Sequence, residues 1–148
     1  MEIRKVIIEE VLTEELLKEL LSRPEVDSFI DGNDLEEVQF CECLNDYMNQ
    51  KGMDRKSVIH KTNINETHAY QMFSGDRGAS RNKVLQMAIA MGLNLKETNR
   101  LLHSAGVSAL YCKNRRDAII IFCIEKGENL QSIDEKLFEF NEATISDV

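Results

Sequence analysis

The stretch that decides the fold reads Ala69-Tyr70-Gln71-Met72-Phe73-Ser74-Gly75-Asp76-Arg77-Gly78-Ala79-Ser80, followed by Val84-Leu85-Gln86-Met87-Ala88. It predicts a helix over Glu66–Phe73 that stops at Ser74-Gly75 and a loop over Asp76–Ala79. A new helix follows, capped by Ser80 and carrying Val84, Leu85, Ala88, Ile89 and Met91. Glycine stops a helix because it tolerates left-handed backbone, and a serine hydroxyl can accept from the orphan amides of a first turn.

Upstream, Asp54 is placed to cap a short helix, Arg55–Lys61, with Val58 and Ile59 as its buried face; Thr62-Asn63-Ile64-Asn65 breaks it. Before that, Asp31-Gly32-Asn33 is a turn and Asn33 with Glu36 has the spacing of a capping box. Leu35, Val38, Cys41, Leu44 (or Asn45) and Met48 recur at helical spacing up to Gly52, as one long helix or two short ones. Thr13-Glu14-Glu15 opens an amphipathic helix with Leu16, Leu17, Leu20 and Leu21, which Pro24 stops from continuing; Val6-Ile7-Ile8 is read as helix although strand fits as well. Downstream, Gly92 ends the fourth helix, and Asn94 with Glu97 starts a fifth, lined by Leu95, Leu101 and Leu102 and ending near Ala105-Gly106. Asp117 begins another helix. Ala118–Ile124 would suit a strand by propensity but is read as a buried helix ending at Gly127, because its neighbours are helical. Asn129 with Leu130, Ile133, Leu137 and Phe138 gives a last helix, to about Asn141. The expected class is all-α. The expected domains are an acidic helical extension over 1–34, a five-helix domain over 35–106, and a helical extension over 107–148 that packs on the domain or forms a dimer interface.

Charge is distributed unevenly. Residues 1–40 carry 4 basic and 12 acidic side chains, residues 41–116 carry 12 and 6, and residues 117–148 carry 2 and 8, for a net −8 overall. A net negative chain argues against a nucleic-acid partner, whereas a basic middle of net +6 argues for one. A solvated surface of varying charge also fits.

Several classes are excluded or disfavoured. No apolar run approaches the roughly 18 residues of a membrane span, and the N-terminus lacks a signal-peptide pattern, so a cytoplasmic protein is expected. Cys41, Cys43, Cys112 and Cys123 lack zinc-knuckle spacing and are expected as free thiols, with no metal and no cofactor. His60, His68 and His103 are scattered with no triad arrangement, so no enzyme is expected. Asn65-Glu66-Thr67 matches a glycosylation sequon that a cytoplasmic protein would not use.

On these residues, Leu44–Ala105 resembles the helix-turn-helix domain of the lambdoid-repressor/Cro class, often called the XRE family. The match is strongest over Ala69–Gly75, Asp76–Ser80 and Val84–Ala88. In that family the third helix ends in an apolar residue, a variable one and Ser/Asn-Gly. A short basic loop, a Pro-Ser or similar cap and an apolar fourth helix follow. The flanks also resemble those of small bacterial regulators with this domain in the middle. Three positions depart from the pattern: Asn63 stands where glycine usually makes a left-handed turn, Ile59 where a small residue is usual, and Ala79 where proline is usual. Ala69 is smaller than the usual residue there and restores the volume Ile59 takes.

The resemblance implies a sequence-specific DNA-binding regulator, acting as a homodimer on double-stranded DNA, with the third helix in the major groove. It implies Asn65, Glu66, Thr67, His68 and Gln71 as base-reading residues; Gln can pair with adenine, Thr can touch a thymine methyl, and Glu can accept from cytosine. It implies Arg55, Arg77 and Arg81 as phosphate contacts, with Lys56 and Lys83 further out. Met72 is taken as core rather than Phe73, and Tyr70 either contacts the backbone or rests on the surface. Lys113-Asn114-Arg115-Arg116 is either an extra phosphate contact or a solvated loop. A second expectation, from the acidic arms and Glu66, is the same fold used as a protein-binding adaptor.

Overall fold

The computed structural model describes Leu17, Lys18, Leu21, Ser22 and residues 39–146. The first four are helical, with Leu17 and Leu21 exposed. The expected Thr13 cap, Val6-Ile7-Ile8, the turn at Asp31-Gly32-Asn33, the Asn33–Glu36 box, Leu35 and Val38 lie outside the described residues. Residues 39–146 belong to one compact unit. Every regular element among the described residues is α-helical, and no described helix is long and apolar enough to cross a membrane.

The helices are α1 Phe40–Gln50, α2 Arg55–His60, α3 Glu66–Ser74, α4 Arg81–Ala90, α5 Leu95–Ser104, α6 Arg115–Glu125 and α7 Leu130–Glu139. Their starts follow from short polar side chains that accept from orphan amides. Asp54, Asn65, Asn114 and Asn129 each accept from the backbone N–H three residues on, and Asn94 and Glu97 form a complete capping box. Ser80 stands at the start of α4 but its side chain makes no capping bond. Gly52, Gly75, Gly92, Gly106 and Gly127 all have positive φ just beyond helix ends. Gly75 is the most constrained of them: a Cβ there would lie 3.0 Å from Cys41 Sγ.

α1 buries Cys43, Leu44, Tyr47 and Met48, so its inner face is turned from the expected one and Cys41 is only half-buried. α1 packs on α3 and α5, α2 on α3 and α4, and α4 on α5. Ile59 and Ala69 are both buried in this core. Residues 107–146 pack on the five preceding helices: α6 lies on α5 and α7, α7 reaches α4, and Ile120, Cys123, Ile133, Leu137 and Ile145 join the same core. The run Ala118–Ile124 is helical as expected but not wholly buried. Only Ile120 and Cys123 are fully inside, and Phe122 is exposed. Phe138, expected on the inner face of the last helix, is 77 % exposed because Ile133 and Leu137 already define that face.

Candidate nucleic-acid interface

The α2–α3 connection, Lys61–Asn65, sets how α3 is presented. Lys61 N–H donates to Val58 O and Thr62 N–H to Ile59 O, which closes α2. Asn63 does not take the left-handed backbone expected of it: among the described residues the one non-glycine with positive φ is Asn141. A side chain replaces the conformational device. Gln86, on α4 and 1 % exposed, accepts from Asn63 N–H at 2.8 Å.

α3 then shows two faces. Ala69, Met72 and Phe73 are buried, while Glu66, Thr67 and Tyr70 point outward. Both Met72 and Phe73 are therefore core, where one was expected. The C-terminal carbonyl of Phe73 accepts from Asn45 Nδ2 of α1 at 2.8 Å. Arg55, exposed at the start of α2, sits 5.9 Å above the Phe73 ring, a cation–π distance that holds the guanidinium at the edge of α3. Lys56 and Arg77 are exposed. Asp54, beside Arg55, has its carboxyl held below the usual carboxylate range, first by the Ser57 backbone N–H and then by the Ser57 side chain.

The remaining expected site residues are engaged within the fold. Asn65 Oδ1 accepts from His68 N–H as the cap of α3. His68 Nε2 lies 3.0 Å from Gly78 O and its Nδ1 3.1 Å from Lys83 Nζ, so this side chain ties α3 to the following loop and to α4, and occupies Lys83. With Nε2 protonated the ring donates to Gly78 and accepts from Lys83. Gln71 Oε1 is buried without a hydrogen-bond partner, so bidentate reading of adenine needs a turn of this side chain outward.

Arg81 is redirected most. Its guanidinium donates to both oxygens of Asp117, at 2.9 and 2.8 Å, and to Ser108 O and Ala109 O at 3.0 Å each. It is a brace between α4 and α6, not an outward phosphate ligand. Burial pushes the Asp117 carboxyl up, but the Arg81 hydrogen bonds, the Tyr111 N–H and the charges of Arg81 and Arg116 leave it below its ordinary value. Arg116, from the basic cluster at 113–116, also turns inward: it donates to Ala143 O, Thr144 O and Asn82 Oδ1. Burial, then the neighbouring Arg81 charge, lower its pKa.

No group of three or more His, Cys, Asp or Glu side chains among the described residues is placed to hold a metal ion. None of the four cysteines is in a disulfide, and burial, then Glu128, pushes the Cys123 thiol up to about 12. The residues that sequence reasoning missed are Gln86, Asp134 and Ile145. Gln86 had a visible signal, a lone amide inside the apolar run Val84–Ala88. Comparison of the chain with protein-family models finds no match, and comparisons with curated proteins and with solved structures find none either.

Proposed function

We propose that the chain is a sequence-specific DNA-binding regulator in which α2, its turn and α3 form a helix-turn-helix of the lambdoid-repressor type and α3 enters the major groove. One observation carries this reading. The outward face of α3, with Glu66, Thr67 and Tyr70, is accompanied by exposed cations on α2 (Arg55, Lys56) and just beyond α3 (Arg77). A groove-reading helix needs this arrangement: polar side chains toward base edges and cations toward the flanking phosphates. Thr67 and Glu66 are the base-reading residues in this resting geometry, and Gln71 joins them by swinging out. Arg55, Lys56 and Arg77 are the phosphate ligands. The protein acts in the cytoplasm as a homodimer, since one such domain reads only a half-site.

The test is selection from a random-duplex library followed by a salt titration of the selected duplex. Affinity should fall steeply with salt, and Gln71→Ala should cost about 1–3 kcal/mol on the selected sequence and far less on others. Failure of any duplex to bind better than random DNA at physiological salt would sink the reading. In that event a protein-binding adaptor takes its place, favoured by the exposed Phe122, Phe138 and Phe140 on and just after α6 and α7. A defined partner bound stoichiometrically after nuclease treatment would support it.

A further inference from the structure

Among the described residues beyond α7 only Ile145 is fully buried, yet residues 143–146 are tied into the fold at six backbone groups. Asn141, with φ of 60°, turns the chain back after α7. Ala143 O and Thr144 O accept from Arg116 of α6 at 2.8 and 3.2 Å. Asp134 of α7 accepts from Ile145 N–H at 2.6 Å, from Ser146 N–H at 3.3 Å and from the Ser146 hydroxyl. The Ile145 side chain is 0 % exposed.

The other end of this arrangement lies at the α2–α3 turn. Ile145 O accepts from Gln86 Nε2 at 3.2 Å, and Gln86 Oε1 accepts from Asn63 N–H at 2.8 Å. Ser146 O accepts from Asn63 Nδ2 at 3.3 Å. The turn residue is thus gripped twice by the C-terminal segment, once directly and once through a buried amide whose donor and acceptor are both in use. Gln86 can hold the turn in one orientation only while its NH2 has a carbonyl to face, because an unpaired donor in the core is unfavourable.

We propose that residues 143–146 are a positioning strap for α3. They fix the turn at Asn63 in place of the left-handed glycine usual in such turns, and so set the angle at which α3 is presented. This rests on the DNA-reading function proposed above. Gln86 and Asp134 are positioning residues: they touch no DNA and act through Asn63 and the strap. A partner or modification that lifts Ser146 from Asp134 weakens DNA reading without unfolding the helices.

The experiment compares the full chain with a truncation after Glu142 and with full-length Asp134→Ala, by far-ultraviolet circular dichroism, residue-resolved amide hydrogen exchange and binding to the library-selected duplex. Both variants should keep their helical signal. Exchange at the Asn63 amide should rise about tenfold or more, and affinity for the selected duplex should fall about tenfold against random-sequence duplex, the size expected for loss of one net hydrogen bond holding the turn. Unchanged exchange at Asn63 overturns the strap. Faster exchange with unchanged discrimination between the two duplexes overturns its positioning role, and loss of helical signal in both variants does so too, because the tail is then simply core. If the full chain binds no duplex, the DNA reading fails by itself, and exchange at Asn63 still decides whether the strap holds the turn.

Discussion

The start of α4 with the start of α6, and the outer edge of α2–α3, both carry basic side chains, and they use them in opposite ways. Around α4, Arg81 and Arg116 reach inward to a buried carboxylate and to four backbone carbonyls, and Lys83 is tied to His68. At the edge of α2–α3, Arg55, Lys56 and Arg77 stay on the surface. A segment of net +6 therefore offers fewer outward charges than its sequence suggests. Arginine serves the inward role because its planar fork matches a carboxylate and several carbonyls at once, and because it stays charged where burial disfavours charge.

Five substitutions at four positions break or sharpen this contrast. Asp117→Ala should have the largest effect. It leaves Arg81 and the Tyr111 N–H without their shared acceptor inside the fold and should destabilise by about 3 kcal/mol in urea unfolding. An effect under 1 kcal/mol would mean that Arg81 is solvated where it stands. The acid limb follows from the same pair. The folded pKa of Asp117 is depressed, so its contribution is fully present above the ordinary carboxylate value of about 3.9 and is lost as pH falls through the lower folded value. Asp117→Asn should thus show a shallower loss of stability on acidification than the parent chain. Gly75→Ala should cost about 1–2 kcal/mol, from a left-handed backbone with φ of 85° and from crowding of Cys41. Arg77→Ala should be smallest in stability, within about 0.5 kcal/mol, yet on the proposed function should lower the salt slope of DNA binding by roughly 1. Arg116→Ala is its mirror image: lower stability, with the salt slope unchanged.

Much of the helical framework could be read from local sequence. The Asp54 cap, the Asn94–Glu97 box and the glycine stops depend on residues within one turn of each other, and each was found where the spacing put it. What could not be read depends on distant partners. Arg81 meets Asp117 across 36 residues, and Asn63 meets Gln86 across 23. Neither pairing leaves a periodic trace, so Arg81 reads as one more surface cation and Asn63 as a substitute for glycine. Phe138 was misplaced for another reason. It adjoins Leu137 in an apolar pair, and helical periodicity does not say which member of a pair takes the inner position when one residue there suffices. Ile145 escaped notice because the few apolar residues after α7 follow no helical period. On α3, the exposure of Glu66 and Thr67 follows the reading from sequence, whereas the inward turn of Gln71 Oε1 depends on packing that spacing does not encode.

The bond between Asn63 and Ser146 spans 83 residues. On a ribosome adding 5–20 residues per second, the turn is therefore synthesised roughly 4–17 seconds before the segment that holds it. Helices as short as α2 and α3 are marginal on their own but form in microseconds or less once neighbours are there to pack on, so the pair can assemble with α4 and α5 before the contact that holds its turn exists. The α2–α3 edge is among the first parts of residues 39–146 to be made and among the last to be finished.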